Sequence, residues 1–109
     1  MKSTRYYSNR QEKQIAKALG GKQSSNSGAT PFQKGDVKTA QWLIEAKTTT
    51  SSKSSFSIKK DWLLKNKEEA FAMNRQYSAL AFNFGPDEEN YYIIDEKLFK
   101  KLLNFLQEN

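Results

Sequence analysis

The sequence predicts a single α/β domain whose elements follow one another in the order αββαββα. Three helical and four extended segments can be distinguished along its 109 residues by the periodicity of their apolar side chains. That length is typical of one domain. Seven Phe, five Tyr and two Trp provide enough large apolar side chains for a compact core. We therefore expect one hydrophobic core and no second domain.

The first helix is predicted to run from Ser8 to Leu19, and residues 1–7 are expected to form a flexible tail. Ser8 followed by Gln11 fits a capping box, in which the two side chains bond to backbone N–H groups in the first turn. The two glycines after Leu19 favour the left-handed conformation that ends a helix.

Glu12 interrupts the apolar face of this helix. It shares the helical spacing of Ile15, Ala16 and Leu19 and so belongs to the same side. Burying a carboxylate without a partner is costly, so an acidic group on this face needs compensation. Its partner is either a cation at a functional site or a Lys or Arg in an ordinary ion pair.

Two strands joined by a short turn are predicted after a polar loop. The loop, residues 22–34, is rich in Ser, Asn, Gly and Gln and is expected to be mobile. Residues 36–37 and 41–47 are extended, with the turn at residues 38–40 between them. Alternation divides the second strand into one face with Trp42, Ile44 and Ala46 and another with Leu43, Glu45 and Lys47.

A second loop and a second helix are predicted next. Residues 48–56 are rich in hydroxyl groups, too polar to pack, and are expected to form a mobile loop. Ser57 is a suitable N-cap for a helix that reaches about Asn74.

The chain is predicted to end with two strands and a helix. Residues 77–84 and 91–94 are extended and flank a turn at residues 85–87. Asp95 is expected to cap the final helix. The apolar stripe of that helix consists of Leu98, Leu102, Phe105 and Leu106.

The amino-acid composition excludes several classes of catalytic and metal-binding site. The chain has no Cys and no His, which excludes thiolate and imidazole metal sites, cysteine nucleophiles and serine-type triads. Its net charge of +6 suits a polyanionic partner such as nucleic acid. No apolar run approaches the roughly 20 residues that span a bilayer, and the polar N-terminus lacks the apolar part of a signal peptide. We therefore expect a cytoplasmic protein that acts through carboxylates, lysine and hydroxyls, without a membrane.

The candidate active site consists of Asp36, Glu45, Ala46 and Lys47. Mg²⁺ prefers oxygen ligands, often one or two carboxylates completed by water and substrate phosphate. Asp36 and Glu45 can meet at one edge of the hairpin, and the Ala46 carbonyl can add a third oxygen. Lys47 lies on the face of Glu45, about 7 Å further along the strand. This pattern predicts phosphodiester hydrolysis with Mg²⁺ or Mn²⁺, in which Lys47 stabilises charge or orients water and Glu12 is an additional ligand.

Asp36 followed by Glu45-Ala46-Lys47 resembles the PD-(D/E)xK signature of the restriction-endonuclease-like nucleases. Together with Glu12 and with Ser27-Gly28 in the loop, the pattern is similar to the small Holliday-junction resolvases of archaea and phages. The likeness covers roughly residues 10–84. Gly35 stands where the name of the signature has Pro.

The resemblance implies a mixed β-sheet flanked by helices, with the site at one edge of the sheet. It also implies a metal-dependent DNA endonuclease that acts as a homodimer and resolves four-way junctions in recombination or phage DNA processing. The final helix and the Tyr91-Tyr92 strand are candidates for the dimer interface, or they complete the core of the monomer. A non-catalytic DNA-binding module and a nuclease that nicks DNA or degrades linear ends remain as alternatives.

Basic and hydroxyl residues around this candidate active site are expected to contact the phosphate backbone of DNA by charge and by hydrogen bonds. Each of them, taken singly, is also typical of an ordinary surface. Gln76 is expected to orient the catalytic water from the point where a helix runs into a strand. The predicted DNA contacts are Arg5, Arg10, Lys22, Ser27, Lys34, Thr49, Lys53, Ser54, Lys59 and Lys60.

Overall fold

A computed structural model of the protein describes residues 2–23 and 36–108. Within these ranges it contains three helices and one five-stranded sheet, so the predicted α/β class is confirmed. The order differs from αββαββα by one short strand at residues 22–23, inside the predicted loop. The elements are α1 (Thr4–Leu19), β1 (Lys22–Gln23), β2 (Asp36–Lys38), β3 (Trp42–Lys47), α2 (Lys60–Ala72), β4 (Tyr77–Phe82), β5 (Tyr91–Ile93) and α3 (Glu96–Glu108).

The five strands lie in sequence order across a mixed sheet. Neighbouring strands are antiparallel except β3 and β4, which are parallel. Parallel neighbours need a crossover connection, and α2 provides it. In the registers of the three central strands, Glu45 lies opposite Asp36 on one side and beside Leu80 on the other.

The hydrophobic core lies between α1 and one face of the sheet. Ile15 of α1 packs with Val37, Ile44, Ala79 and Ala81, all of them buried. Side chains alternate along a strand, so Leu43 and Leu80 point to the opposite face, where α2 packs on β3 and β4. The division of β3 into two faces is therefore as predicted.

The first helix begins four residues earlier than predicted. The Ser3 hydroxyl accepts a hydrogen bond from the Tyr6 N–H at 3.1 Å and caps the helix. Residues 4–7 are therefore helical, and the prediction that they belong to a flexible tail was wrong. Gly20 adopts φ 67°, the left-handed conformation predicted for the end of this helix.

The segment between β3 and α2 has no regular structure, but the prediction that it is too polar to pack was wrong. The buried Thr49 hydroxyl donates to the Asn83 side-chain oxygen at 2.7 Å, and Phe56 stacks on Phe82. The N-cap of α2 is Lys59, which makes no side-chain capping bond, so Ser57 is not the cap.

The final helix is capped as predicted but is less buried than its apolar stripe suggested. The Leu98 N–H donates to the Asp95 carboxylate at 2.9 Å. Leu98 is buried, whereas Leu102, Phe105 and Leu106 are exposed, so most of the stripe does not complete the core. No helix in the described part of the chain is both long and apolar enough to cross a membrane.

Candidate metal centre

The hairpin of β2 and β3 brings the residues of the candidate active site together. Asp36 lies directly opposite Glu45, and directly opposed residues share a face of the sheet. Lys47 follows Glu45 on that face, and its Nζ lies 2.9 Å from Glu45 Oε2. Ala46 lies between them, beside Ala81 of β4.

A third carboxylate, Glu69 of α2, joins this pair. Ligand oxygens of Asp36, Glu45 and Glu69 all lie within 4.8 Å of one another. Three negative groups this close repel one another unless protons or a cation compensate them. The cluster contains only carboxylate oxygens, which are the donors that Mg²⁺ and Mn²⁺ prefer.

Glu69 was missed by the sequence analysis, although a signal for it exists. It lies seven residues after Trp62 and four before Met73, which is the spacing of one helix face. Like Glu12 on α1, Glu69 is therefore a carboxylate at the spacing of the apolar residues of its helix.

Asp36 is the most unusual group of the cluster. It is 0 % exposed, and neither of its carboxylate oxygens has a hydrogen-bond partner among the described residues. Burial raises the pKa of Asp36 to about 8, and the charges of Glu69, Glu45 and Glu12 add to this effect. A buried carboxyl without partners requires a proton or a cation.

Glu69 shows the same features to a lesser degree. Its Oε2 atom is buried and has no partner in the described part of the chain. Burial is the largest cause that raises the pKa of Glu69, followed by the charge of Glu45. Lys65 and Lys47 act in the opposite direction.

Lys47 is held at both ends. Its ammonium group bonds to Glu45 and lies 4.2 Å from the centre of the Trp62 ring, a cation–π contact. Its backbone carbonyl accepts a hydrogen bond from Gln11 Nε2 at 3.1 Å. Gln11 is buried and also accepts a bond from the Thr48 hydroxyl at 2.8 Å, so α1 fixes the end of β3.

Glu12 does not join the carboxylate cluster. It is 3 % exposed and accepts a hydrogen bond from Gln23 Nε2 at 3.1 Å. Burial raises the pKa of Glu12, and this hydrogen bond opposes the shift. The physical reason for its separation is that α1 covers the other face of the sheet from the one to which Asp36 and Glu45 point. Its hydrogen-bond partner among the described residues is an amide, and the charge of the exposed Arg5 also lowers its pKa.

The basic residues predicted to contact DNA differ in their surroundings. Lys59 is exposed and lies 5.8 Å from the ring of Trp62, which Lys47 also contacts. Arg10 is paired with Asp87 at the surface. Ser27 and Lys34 lie outside the described residues. The others that the structure describes as exposed are Arg5, Lys22, Lys53, Ser54 and Lys60.

Two residues, Thr49 and Gln76, lie where they cannot play the roles predicted for them. Thr49 is buried and its hydroxyl is used in the bond to Asn83, so it cannot contact DNA. Gln76 precedes β4 by one residue, whereas Leu80 is the residue beside Glu45. Four residues of extended chain separate Gln76 from this point, about 13 Å, which is too far for it to orient a water at the cluster.

The candidate site thus consists of Asp36, Glu45 and Glu69 with Lys47 beside them, on the face of the sheet that α2 covers. Comparisons of the chain with protein families, curated proteins and solved structures find no match.

Proposed function

We propose that the protein is a metal-dependent DNA endonuclease, with Asp36 and Glu45 as ligands of Mg²⁺ or Mn²⁺. The observation that carries the proposal is the buried carboxylate of Asp36, which has no hydrogen-bond partner among the described residues and lies opposite Glu45. The residues fit such an ion, because a divalent cation supplies the charge compensation that Asp36 lacks. When bound, it polarises a phosphoryl oxygen and lowers the pKa of an attacking water.

Lys47 supplies the second part of the chemistry. Its ammonium group is fixed beside Glu45 by the ion pair and by the Trp62 ring. A positive group held in place stabilises negative charge that develops on a phosphate without having to reorganise during the reaction.

Exposed lysines before α2 and at its start supply the affinity for DNA. Lys59 lies near the Trp62 ring, and Lys53 and Lys60 belong to the same connection into α2. Together with the net charge of +6, they attract the phosphate backbone without reading base sequence. Contacts of this kind favour recognition of the shape of DNA, and a four-way junction is the proposed substrate, in recombination or phage DNA processing.

A homodimer is part of the proposal, because two sites can cut two strands of a junction symmetrically. The exposed apolar side chains of α3 include Phe99, Leu103 and Leu106, and Tyr91 and Tyr92 of β5 are also exposed. Exposed apolar patches mark interaction surfaces. We therefore assign the dimer contact to this part of the molecule.

The test is cleavage of a labelled synthetic four-way junction beside a linear duplex of the same sequence, with Mg²⁺ and with EDTA. We expect paired, metal-dependent cuts in the junction, and Glu45→Gln should abolish them while DNA binding is kept. Cutting of both substrates would support a nuclease without junction selectivity. Binding without cutting in Mg²⁺ and Mn²⁺ would leave a non-catalytic DNA-binding module.

A further inference from the structure

We infer that Glu69 is the third protein ligand of the metal, in the place that the sequence suggested for Glu12, and that the site binds its cation before DNA arrives. The inference rests on the metal site of the proposed function and deepens it. It adds α2 to the elements that hold the ion.

Glu69 lies close enough to Asp36 and Glu45 to share a metal ion with them. One of its oxygens lies within 4.8 Å of ligand oxygens from both Asp36 and Glu45. Oxygens that share one Mg²⁺ are roughly 3–4 Å apart, since each lies about 2.1 Å from the ion. Small side-chain adjustments therefore suffice to bring the three groups onto one ion.

Glu69 and Glu12 also differ in their hydrogen bonding. Glu69 Oε2 is buried and has no partner among the described residues, like both carboxylate oxygens of Asp36. Glu12 instead accepts a bond from Gln23. A buried acceptor without a partner is costly. The carboxylates of Asp36 and Glu69 therefore need a cation, whereas that of Glu12 already has a hydrogen bond.

The net charge of the site indicates that the cation binds before DNA. Sites with one or two carboxylates usually need substrate phosphate to complete the coordination of Mg²⁺. Here three carboxylates carry −3 and Lys47 contributes +1, so the net charge of −2 balances one divalent cation. The protein alone can therefore hold the ion, and the ion in turn links α2 to the hairpin of β2 and β3.

The experiment is calorimetric titration of Mn²⁺ into the protein without DNA. We expect the wild type to bind, and Glu69→Gln to weaken the affinity at least tenfold. Glu68→Gln is the matched control, because Glu68 is the adjacent acidic residue of α2 and is exposed. Glu68→Gln should bind like the wild type, and Glu12→Gln should lose less than about threefold, since Glu12 is near enough to influence Asp36 only through its charge.

Thermal unfolding separates a ligand from a merely structural residue. At a hundredfold excess over Kd, Mn²⁺ should raise the Tm of the wild type by about 10 °C, and Glu69→Gln should lose most of this rise. Without metal, Glu69→Gln should melt higher than the wild type, because it removes repulsion between carboxylates. A structural role predicts a lower Tm instead. Glu69→Asp, which keeps the charge but retracts the oxygens, should weaken Mn²⁺ binding as well.

Wild-type Mn²⁺ affinity in both Glu69 variants, or no binding by the wild type without DNA, would overturn the inference. Its failure is distinguishable from that of the proposed function. A protein that binds Mn²⁺ through Glu69 but cuts no DNA keeps the inference and loses the nuclease. A protein that cuts DNA while Glu69→Gln binds Mn²⁺ normally keeps the nuclease and loses the inference.

Discussion

At the scale of single residues, the candidate site combines groups whose charges are unfavourable in the metal-free protein. Asp36 is fully buried beside two other carboxylates, and its own hydrogen-bonding capacity is unused by the described residues. Such a group lowers the stability of the folded state whenever it is ionised without a cation. Its retention in a domain of 109 residues is easier to understand as a functional requirement than as a contribution to stability.

The stability of the metal-free protein should therefore fall as the pH rises from about 5 to about 8. The folded pKa of Asp36 is about 8, above its ordinary value of 3.8, so the folded state holds this proton more tightly than the unfolded chain. The stabilisation is fully present below the unfolded pKa and is lost as the pH rises through the folded pKa, by about 4 kcal/mol between pH 5 and pH 8. Glu12 and Glu69 are shifted in the same direction.

Urea unfolding in EDTA at pH 5 and pH 8 measures this dependence. Asp36→Asn cannot ionise and should flatten the profile. If the wild type and Asp36→Asn depended on pH to the same extent, Asp36 would not be the titrating group.

Replacing Lys47 by Ala should lower the rate of junction cleavage about 10²- to 10³-fold, the usual loss when one group that stabilises transition-state charge is removed. Mn²⁺ binding should not weaken, because a positive charge beside Glu45 has been removed. Single-turnover cleavage and calorimetry measure the two effects. Lys67→Ala is the control, since Lys67 is exposed on α2 and pairs with Asp95. A Lys47 variant that cuts at the wild-type rate would remove Lys47 from the chemistry.

At the scale of elements, α1 and α2 support the site from opposite faces of the sheet. α2 contributes Glu69 and the Trp62 ring beneath Lys47. α1 contributes no ligand to the cluster, but Gln11 holds the carbonyl of Lys47 and the hydroxyl of Thr48 and also donates to Asn90. The end of β3 is thereby fixed at the residue that the proposed chemistry uses.

Gln11→Ala should destabilise the protein by about 1–3 kcal/mol, because it leaves three half-buried hydrogen-bonding partners of a buried side chain unsatisfied. Urea unfolding measures the change. Gln14→Ala, one turn further along α1, removes a bond to the exposed Asp87 and should cost less than about 0.5 kcal/mol. If the two substitutions lowered the free energy of unfolding equally, the hydrogen bonds of Gln11 would contribute no more to stability than the surface bond of Gln14.

The parts of the site that lie close in sequence were predictable, and those that depend on the crossover helix were not. The faces of β3 follow from the period of two in an extended chain, so Glu45 and Lys47 could be placed beside Asp36 from the pattern alone. Glu69 reaches Glu45 only because α2 crosses over the sheet, and the apolar pattern of α2 is weakened by the exposed Phe71. The start of α1 was misplaced because both Ser3 and Ser8 are suitable caps; the Ser3 hydroxyl accepts the capping bond, whereas the Ser8 hydroxyl donates to the Arg5 carbonyl within the helix.

At the scale of the whole molecule, the proposed DNA site and the apolar surface at Tyr92 and Leu102 belong to different faces of the sheet, whereas Tyr91 lies beside Phe82 on the face of the cluster. Asp36 and Glu45 face α2, whereas Leu102 of α3 borders a cavity of about 410 Å³ with Trp42 and Ile44 on the side of α1. A dimer formed through α3 would leave both metal clusters accessible to DNA. Burial of α3 could not be predicted from its stripe, because a stripe shows that a helix has an apolar face but not which surface covers it.

The wild type should be dimeric at micromolar concentration, and the double substitution of Phe99 and Leu106 by Asp should make it monomeric. The charges would be placed on two exposed apolar positions of α3 and would have to be buried in the contact. Size-exclusion chromatography with light scattering measures the mass. Leu64→Asp, at an exposed position of α2, should remain dimeric. A monomeric wild type would contradict the assignment.

The indole of Trp62 lies close enough to the carboxylate cluster to serve as a fluorescent probe of the proposed metal site. The ammonium group of Lys47 lies 4.2 Å from the centre of this ring and is bonded to Glu45, so any change at Glu45 alters the electric field on the indole. Trp42 packs against Tyr77 and belongs to the opposite face of the sheet, which makes its emission a constant background. If the proposed cation binds, the emission of Trp62 should therefore change with the occupancy of the carboxylate cluster, without any attached dye.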